Sequence, residues 1–170
     1  MLLQSVLSIA LALFSTCATA APTDAAMLGS KHNLYLVTCT KRSGWADCPL
    51  IIICPRQQQS KYTAVAYYAN GPVESNRNSN PSQISTVSQP AQPWEGTQRT
   101  AKLGRIGDFS SDIEAGAAGK EKGQIAGSAR LGSEEFVCFT DGQTSIAVED
   151  DLGDVEYTCS ADYWCPSIQV

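Results

Sequence analysis

Apolar and polar positions alternate with a period of two over much of the chain, as expected for strands with one face in a core. Residues 34–40 (LYLVTCT) are rich in β-branched and aromatic side chains and predict a first strand. Residues 61–68 (KYTAVAYY) alternate and predict a second, stopped by Asn70-Gly71-Pro72. The clearest alternation falls at 98–131. Phe109, Ser111, Ile113 and Ala115 share one side; after a turn at 118–121, Ile125, Gly127, Ala129 and Leu131 share one side again, and the two runs read as a hairpin. TAKLG at 100–104 and SARLG at 128–132 repeat one another, too few copies for a solenoid. Three short strands follow at 135–140, 145–149 and 155–160, separated by Asp/Gly turns. Helical periodicity is scarce. The pattern predicts an all-β, single-domain barrel or sandwich with at most one or two short helices, around 46–52 or in the long polar stretch.

The ends and the middle break this pattern in different ways. Residues 1–20 are apolar, carry no charged side chain and end in Ala18-Thr19-Ala20, which predicts a secretory signal peptide cleaved after Ala20. The apolar core at 6–14 is far shorter than the roughly 20 residues a membrane-spanning helix needs. Residues 21–33 have no apolar period and predict a flexible leader, leaving 34–170 as the β-rich domain. Within it, residues 70–96 are rich in Ser, Asn, Gln and Pro. They predict a loop that is disordered or loosely packed.

Seven cysteines change the picture more than any other residue type. Cys17 falls in the predicted signal peptide; Cys39, Cys48 and Cys54 form one group and Cys138, Cys159 and Cys165 another. If all six are oxidised within the chain, parity requires an odd number of bridges between the groups, so the two ends are stapled across one core. Metal sites use tighter cysteine spacing, and a secreted chain favours disulfides, so no metal or cofactor is expected.

Charge is unevenly spread. Residues 21–130 hold all twelve Lys and Arg against eight acids, while 131–170 hold nine acids and no Lys or Arg. Segments of opposite sign stapled together are expected to lie against each other. An acidic protein without a basic stripe is a poor nucleic-acid binder, since phosphate neutralisation supplies most of that affinity. No nucleic acid, no membrane insertion and a monomeric state are expected.

Candidate chemistry is sparse. His32, the single histidine, lies in the predicted leader, which argues against Ser-His-Asp and Cys-His hydrolases, whose base must be positioned. No catalytic residue is assigned. A carboxylate pair needs no histidine to hydrolyse glycosides, and Asp108, Asp112, Glu114, Glu134, Glu135 and Glu149 form the pool. Glu149, Asp150, Asp151 and Asp154 make the densest acidic group, read as a solvated hairpin tip because no EF-hand spacing is present. Trp94, Trp45, Tyr67 and Tyr68 are the candidate binding aromatics, with Trp94 the most exposed; Tyr163 and Trp164 are assigned to core packing beside the cysteines.

The leader, the acidic mature chain, the six cysteines from Cys39 to Cys165 and the β-rich pattern resemble the small secreted cysteine-rich proteins of filamentous fungi. Some of that class act as effectors or elicitors that trigger plant defence or a hypersensitive response. The resemblance carries no family-specific motif and transfers no functional residue. It implies an extracellular protein that acts on a host or cell-wall component through its surface. The alternative is a cell-wall polysaccharide-binding module or a carboxylate-dependent glycoside hydrolase.

Overall fold

The computed structural model describes residues 30–41, 60–73, 80–149 and 155–169. Nine strands occupy them: β1 Asn33–Lys41, β2 Lys61–Tyr68, β3 Gln83–Ser88, β4 Arg99–Leu103, β5 Gly107–Ile113, β6 Ile125–Leu131, β7 Glu134–Thr140, β8 Ser145–Glu149 and β9 Val155–Pro166. The only helical element among the described residues is the 3₁₀ turn Ala117–Gly119. The predicted signal peptide, most of the leader, Trp45, Cys48, Cys54 and the tip at 150–154 lie outside the described residues.

The strands run β3-β2-β1-β9-β7-β6-β5-β4, all antiparallel, with β8 added beside β9. Eight of them curl into a nearly closed barrel, with β3 and β4 facing each other across the seam. There Ser85 Oγ donates to the Lys102 carbonyl at 3.0 Å, a side chain standing in for a ladder bond. The fold is therefore the barrel form of the predicted all-β domain.

Side-chain alternation sorts the apolar residues into two clusters. Leu34, Leu36, Val65, Tyr67, Trp94, Phe109, Phe136, Tyr163 and their neighbours fill the interior. Tyr35, Val37, Ala64, Ala66 and Tyr68 point to the outer face of β1 and β2, where Ile146 of β8 and Trp164 join them. Strands buried on both faces explain why residues 34–37 and 62–68 read as nearly continuous apolar runs.

One disulfide serves each cluster. Cys39–Cys159 joins directly opposed residues of β1 and β9 on the outer face, and Cys138–Cys165 joins β7 to β9 in the interior. All three C-terminal cysteines are thus used, with one bridge crossing between the groups, the odd number that parity requires. The charge asymmetry also resolves into contacts. Lys122–Asp141 at 3.2 Å, Arg130–Glu135 at 2.6 Å and Lys41–Glu156 at 3.9 Å each pair a cation from the basic segment with an acid from the acidic one. The two exposed pairs, Arg130–Glu135 and Lys41–Glu156, contribute at most about 1 kcal/mol each, so they orient more than they stabilise.

Two expectations need correction. Residues 70–96 are not wholly loop, because β3 pairs with β2 there. The strand lies at the barrel seam and is only half-buried, so Ser, Thr and Gln are tolerated. Ile84 packs against the outer cluster and Val87 against the inner one, and the extra residue at Val87 shifts the register of the strand's last residues. The second concerns β6. A bulge at Ala126 turns that residue inward and leaves Ile125, expected on the buried side, 58% exposed.

Gly127 follows the bulge with φ +154°, and a Cβ there would lie 2.2 Å from the Asp112 carbonyl oxygen. Gly127→Ala is expected to cost about 1–3 kcal/mol through overpacking and strain. Urea denaturation checks it; an unchanged midpoint refutes the close β5–β6 approach. The five-residue repeat also has a structural meaning. Each copy is the end of a strand running into a turn, at Gly104 (φ +45°) and Gly132 (φ +60°).

Candidate functional site

The aromatic residues proposed as a binding platform do not form one. Trp94 is 2% exposed, Tyr67 and Tyr68 are buried, and Trp45 lies outside the described residues. Trp94 was expected at the surface because polar, proline-rich sequence surrounds it. Instead the chain at 91–96 is pinned across the barrel end. Ala91 N donates to the Lys61 carbonyl, Thr63 Oγ1 exchanges hydrogen bonds with the Gln92 backbone, and Gly96 N donates to the Ile113 carbonyl. Trp94 enters the barrel from this strap and meets Phe109 edge-on, ring centres 6.4 Å apart.

His32 is likewise not part of a loose leader. Ser30 and Asn33 are buried, and the Asn33 side chain accepts from the Trp164 indole N–H at 2.9 Å. His32 Nδ1 lies 2.9 Å from Glu134, which also accepts from the Ser167 hydroxyl at 2.5 Å. The three residues clasp both ends of the described chain to β7. The carboxylate stands between the other two side chains, so this is not a nucleophile-base relay.

The carboxylate pool named from sequence is dispersed. Glu114 pairs with Lys120, Glu135 with Arg130 and Glu134 with His32, while Asp108 and Asp112 are exposed on β5. The fold gathers three other acids. Glu95, Asp141 and Asp162 line one cleft of about 170 Å³ at the strapped end of the barrel, with Thr140, Tyr163, Lys120 and Lys122.

Each acid is placed by a different local feature. Glu95 sits on the strap, held by its bridge to Ile113. Asp141 ends β7 and turns the chain toward β8; its carboxylate accepts from the Gln143 and Thr144 backbone N–H groups and lies 3.2 Å from Lys122 Nζ. Asp162 is the extra residue of a bulge in β9, where Leu36 opposes Tyr163 but Val37 opposes Ala161. The bulge turns Asp162 and Tyr163 to the same, inner side. Without it Tyr163 would face the outer cluster.

The Asp162 carboxyl accepts from Thr38 Oγ1 at 2.7 Å. Burial raises its pKa above the ordinary 3.8, and the charges of Glu95 and Asp141 push the same way; Thr38 and the Trp94 indole N–H oppose the shift. The indole N–H lies near enough to favour the charged carboxyl, yet it is buried and completes no hydrogen bond. Tyr163 donates to Glu95, and burial followed by that bond raises the phenol's pKa well above its usual value.

Asp162 therefore binds its proton more tightly folded than unfolded. Its contribution to stability is fully present below the unfolded pKa near 3.8 and is lost as pH rises through the raised folded value. Asp162→Asn removes the titration, so the variant is expected to gain on the wild type as pH increases through that window. Urea unfolding of both proteins over a pH series measures the difference; parallel curves refute the assignment.

None of the three acids was legible as a member of a site. Asp141 reads as a turn residue, Glu95 as the end of a polar loop, and Asp162 falls beyond the predicted end of the last strand. The one usable signal is an acid held between Ala161 and Tyr163 in an otherwise apolar, disulfide-flanked run. Among the described residues no group of three His, Cys, Asp or Glu is arranged to hold a metal ion, and no helix is long and apolar enough to cross a membrane. Two disulfides fit an oxidising, extracellular setting. Comparison with family models, curated proteins and solved structures finds no match to this chain, so its function is read from the fold and its surface.

Proposed function

We propose that the protein is a secreted effector or elicitor, recognised through its folded surface by a host protein or cell-wall component and inducing plant defence or hypersensitive cell death. The observation that carries this reading is the disulfide-stapled barrel whose interior is filled by its own side chains, Trp94, Phe109, Phe136 and Tyr163 among them. A filled barrel presents loops and strand faces rather than a deep ligand cavity. Recognition of that surface requires the fold and no catalysis.

The test is infiltration of purified, oxidised mature protein into leaf tissue beside a sample reduced and alkylated, scoring cell death and defence markers. The oxidised sample is expected to act and the reduced one to fail. Equal responses, or none from the oxidised sample, overturn the reading.

A further inference from the structure

The barrel-end cleft goes beyond surface recognition and stands independently of it. We infer that the cleft is a glycoside-hydrolysing site for a neutral polysaccharide, with Asp162 as general acid and Glu95 as general base.

Three observations converge there. First, the cleft joins two half-buried carboxyl groups in unlike settings. Asp162 is held by the Thr38 hydroxyl, and Glu95 carries the Tyr163 phenol hydroxyl on its carboxylate. The burial that holds the proton on Asp162 suits it to donate.

Second, the buried Trp94 indole N–H completes no hydrogen bond, and it favours the ionised form of Asp162. Such a donor does little for the protonated acid. It stabilises the carboxylate left after proton transfer, together with the Thr38 hydroxyl, and both are in place beforehand.

Third, the charges select the ligand. Lys122 neutralises Asp141 and Lys120 is engaged by Glu114, which leaves the Glu95 carboxylate as uncompensated charge, so the cleft disfavours an anionic ligand. Its mixed polar and apolar wall and its volume of about 170 Å³, below the ~300–1,000 Å³ of pockets for drug-sized ligands, suit one ring of an uncharged polymer. No cysteine or histidine lines it, and a pair of carboxyl groups hydrolyses a glycoside without either.

The step balances with water as the only co-reactant. Asp162 gives its proton to the glycosidic oxygen as the C1–O bond breaks. Glu95 takes a proton from the water whose oxygen bonds to C1. The leaving sugar departs as an alcohol, and solvent returns the proton from Glu95 to Asp162.

The experiment incubates the oxidised protein with soluble β-1,3-glucan, xylan and chitin oligosaccharides, measuring new reducing ends over a pH series. Release from at least one polymer is expected, with Asp162→Asn and Glu95→Gln each lowering kcat about 10²–10⁴-fold while the far-ultraviolet circular dichroism is retained. Thr38→Val keeps both carboxyl groups, and is expected to move the high-pH limb of the profile upward because a hydrogen bond favouring ionised Asp162 is gone. If either carboxyl variant fails to fold, this shift decides. Absence of release from all three polymers, release indifferent to both carboxyl variants, or a limb unmoved by Thr38→Val overturns the inference. Leaf responses to Asp162→Asn keep the two readings apart: a retained response without hydrolysis leaves surface recognition standing.

Discussion

Replacing Cys39 and Cys159 together with alanine is expected to lower stability by about 5 kcal/mol, against about 3.5 kcal/mol for the Cys138/Cys165 pair. The difference follows from the loops they close. The first pair is separated by 120 residues and the second by 27, and loop-closure entropy grows with the logarithm of that length. The half-cystines at 39 and 159 are both within 1% of complete burial, so alanine also leaves unfilled volume on the outer face. Against a typical total of about 5–15 kcal/mol, loss of the crossing bridge brings the barrel near its unfolding threshold. Urea denaturation of both double variants provides the check. An equal or inverted order of midpoints would show that packing around the bridges, not chain entropy, sets their worth. The same result bears on the leaf assay, because reduction removes both constraints at once.

How far the architecture could be read from the chain depended on whether alternation survived. The strand at Lys61–Tyr68 matches the expected 61–68, and β7 and β8 lie within one residue of expectation, because nothing interrupts their period of two. Bulges at Val87, Ala126 and Asp162 defeat the same reasoning elsewhere. Each inserts one residue, and every side chain beyond it changes face. Cys159 and Cys165 illustrate the consequence. Their even spacing implies one shared face, yet the bulge at Asp162 sends the first outward and the second inward, giving each cluster its own bridge. The cysteine groups constrained the number of crossings without revealing this division.

The cleft was less legible than the fold for a related reason. Glu95, Asp141 and Asp162 come from a strap, a turn and a bulge, three irregular features that no periodicity marks. Asp141 and Asp162 meet through the pairing of β7 with β9, and the strap brings Glu95 to them. The acids that stood out along the chain lie on or beside exposed strand faces, in solvent or next to the nearest cation, as at Glu114 and Glu135. Clustering along the chain therefore gave no measure of proximity in space.

Trp94→Ala is expected to cost about 3–5 kcal/mol, the range for removing a buried aromatic from a core. The indole is among the largest fully enclosed side chains, and it fills the barrel beneath the strap that carries Glu95. Its removal leaves a void beside Phe109 and forfeits their edge-to-face contact. Trp94→Phe retains most of the volume and an aromatic edge while deleting the N–H that favours ionised Asp162, so its penalty should be markedly smaller. Thermal and urea unfolding of the two variants separates a packing role from a surface role. A stable Trp94→Ala protein that had merely lost affinity for a polysaccharide would place the indole outside the core and contradict the barrel described above. If the large loss occurs, diminished sugar binding by Trp94→Ala cannot be credited to a stacking platform, because the strap and its carboxylate move with the void. Trp94→Phe is then the variant that isolates the N–H, and its effect on the high-pH limb of hydrolysis measures what that buried donor contributes to the cleft.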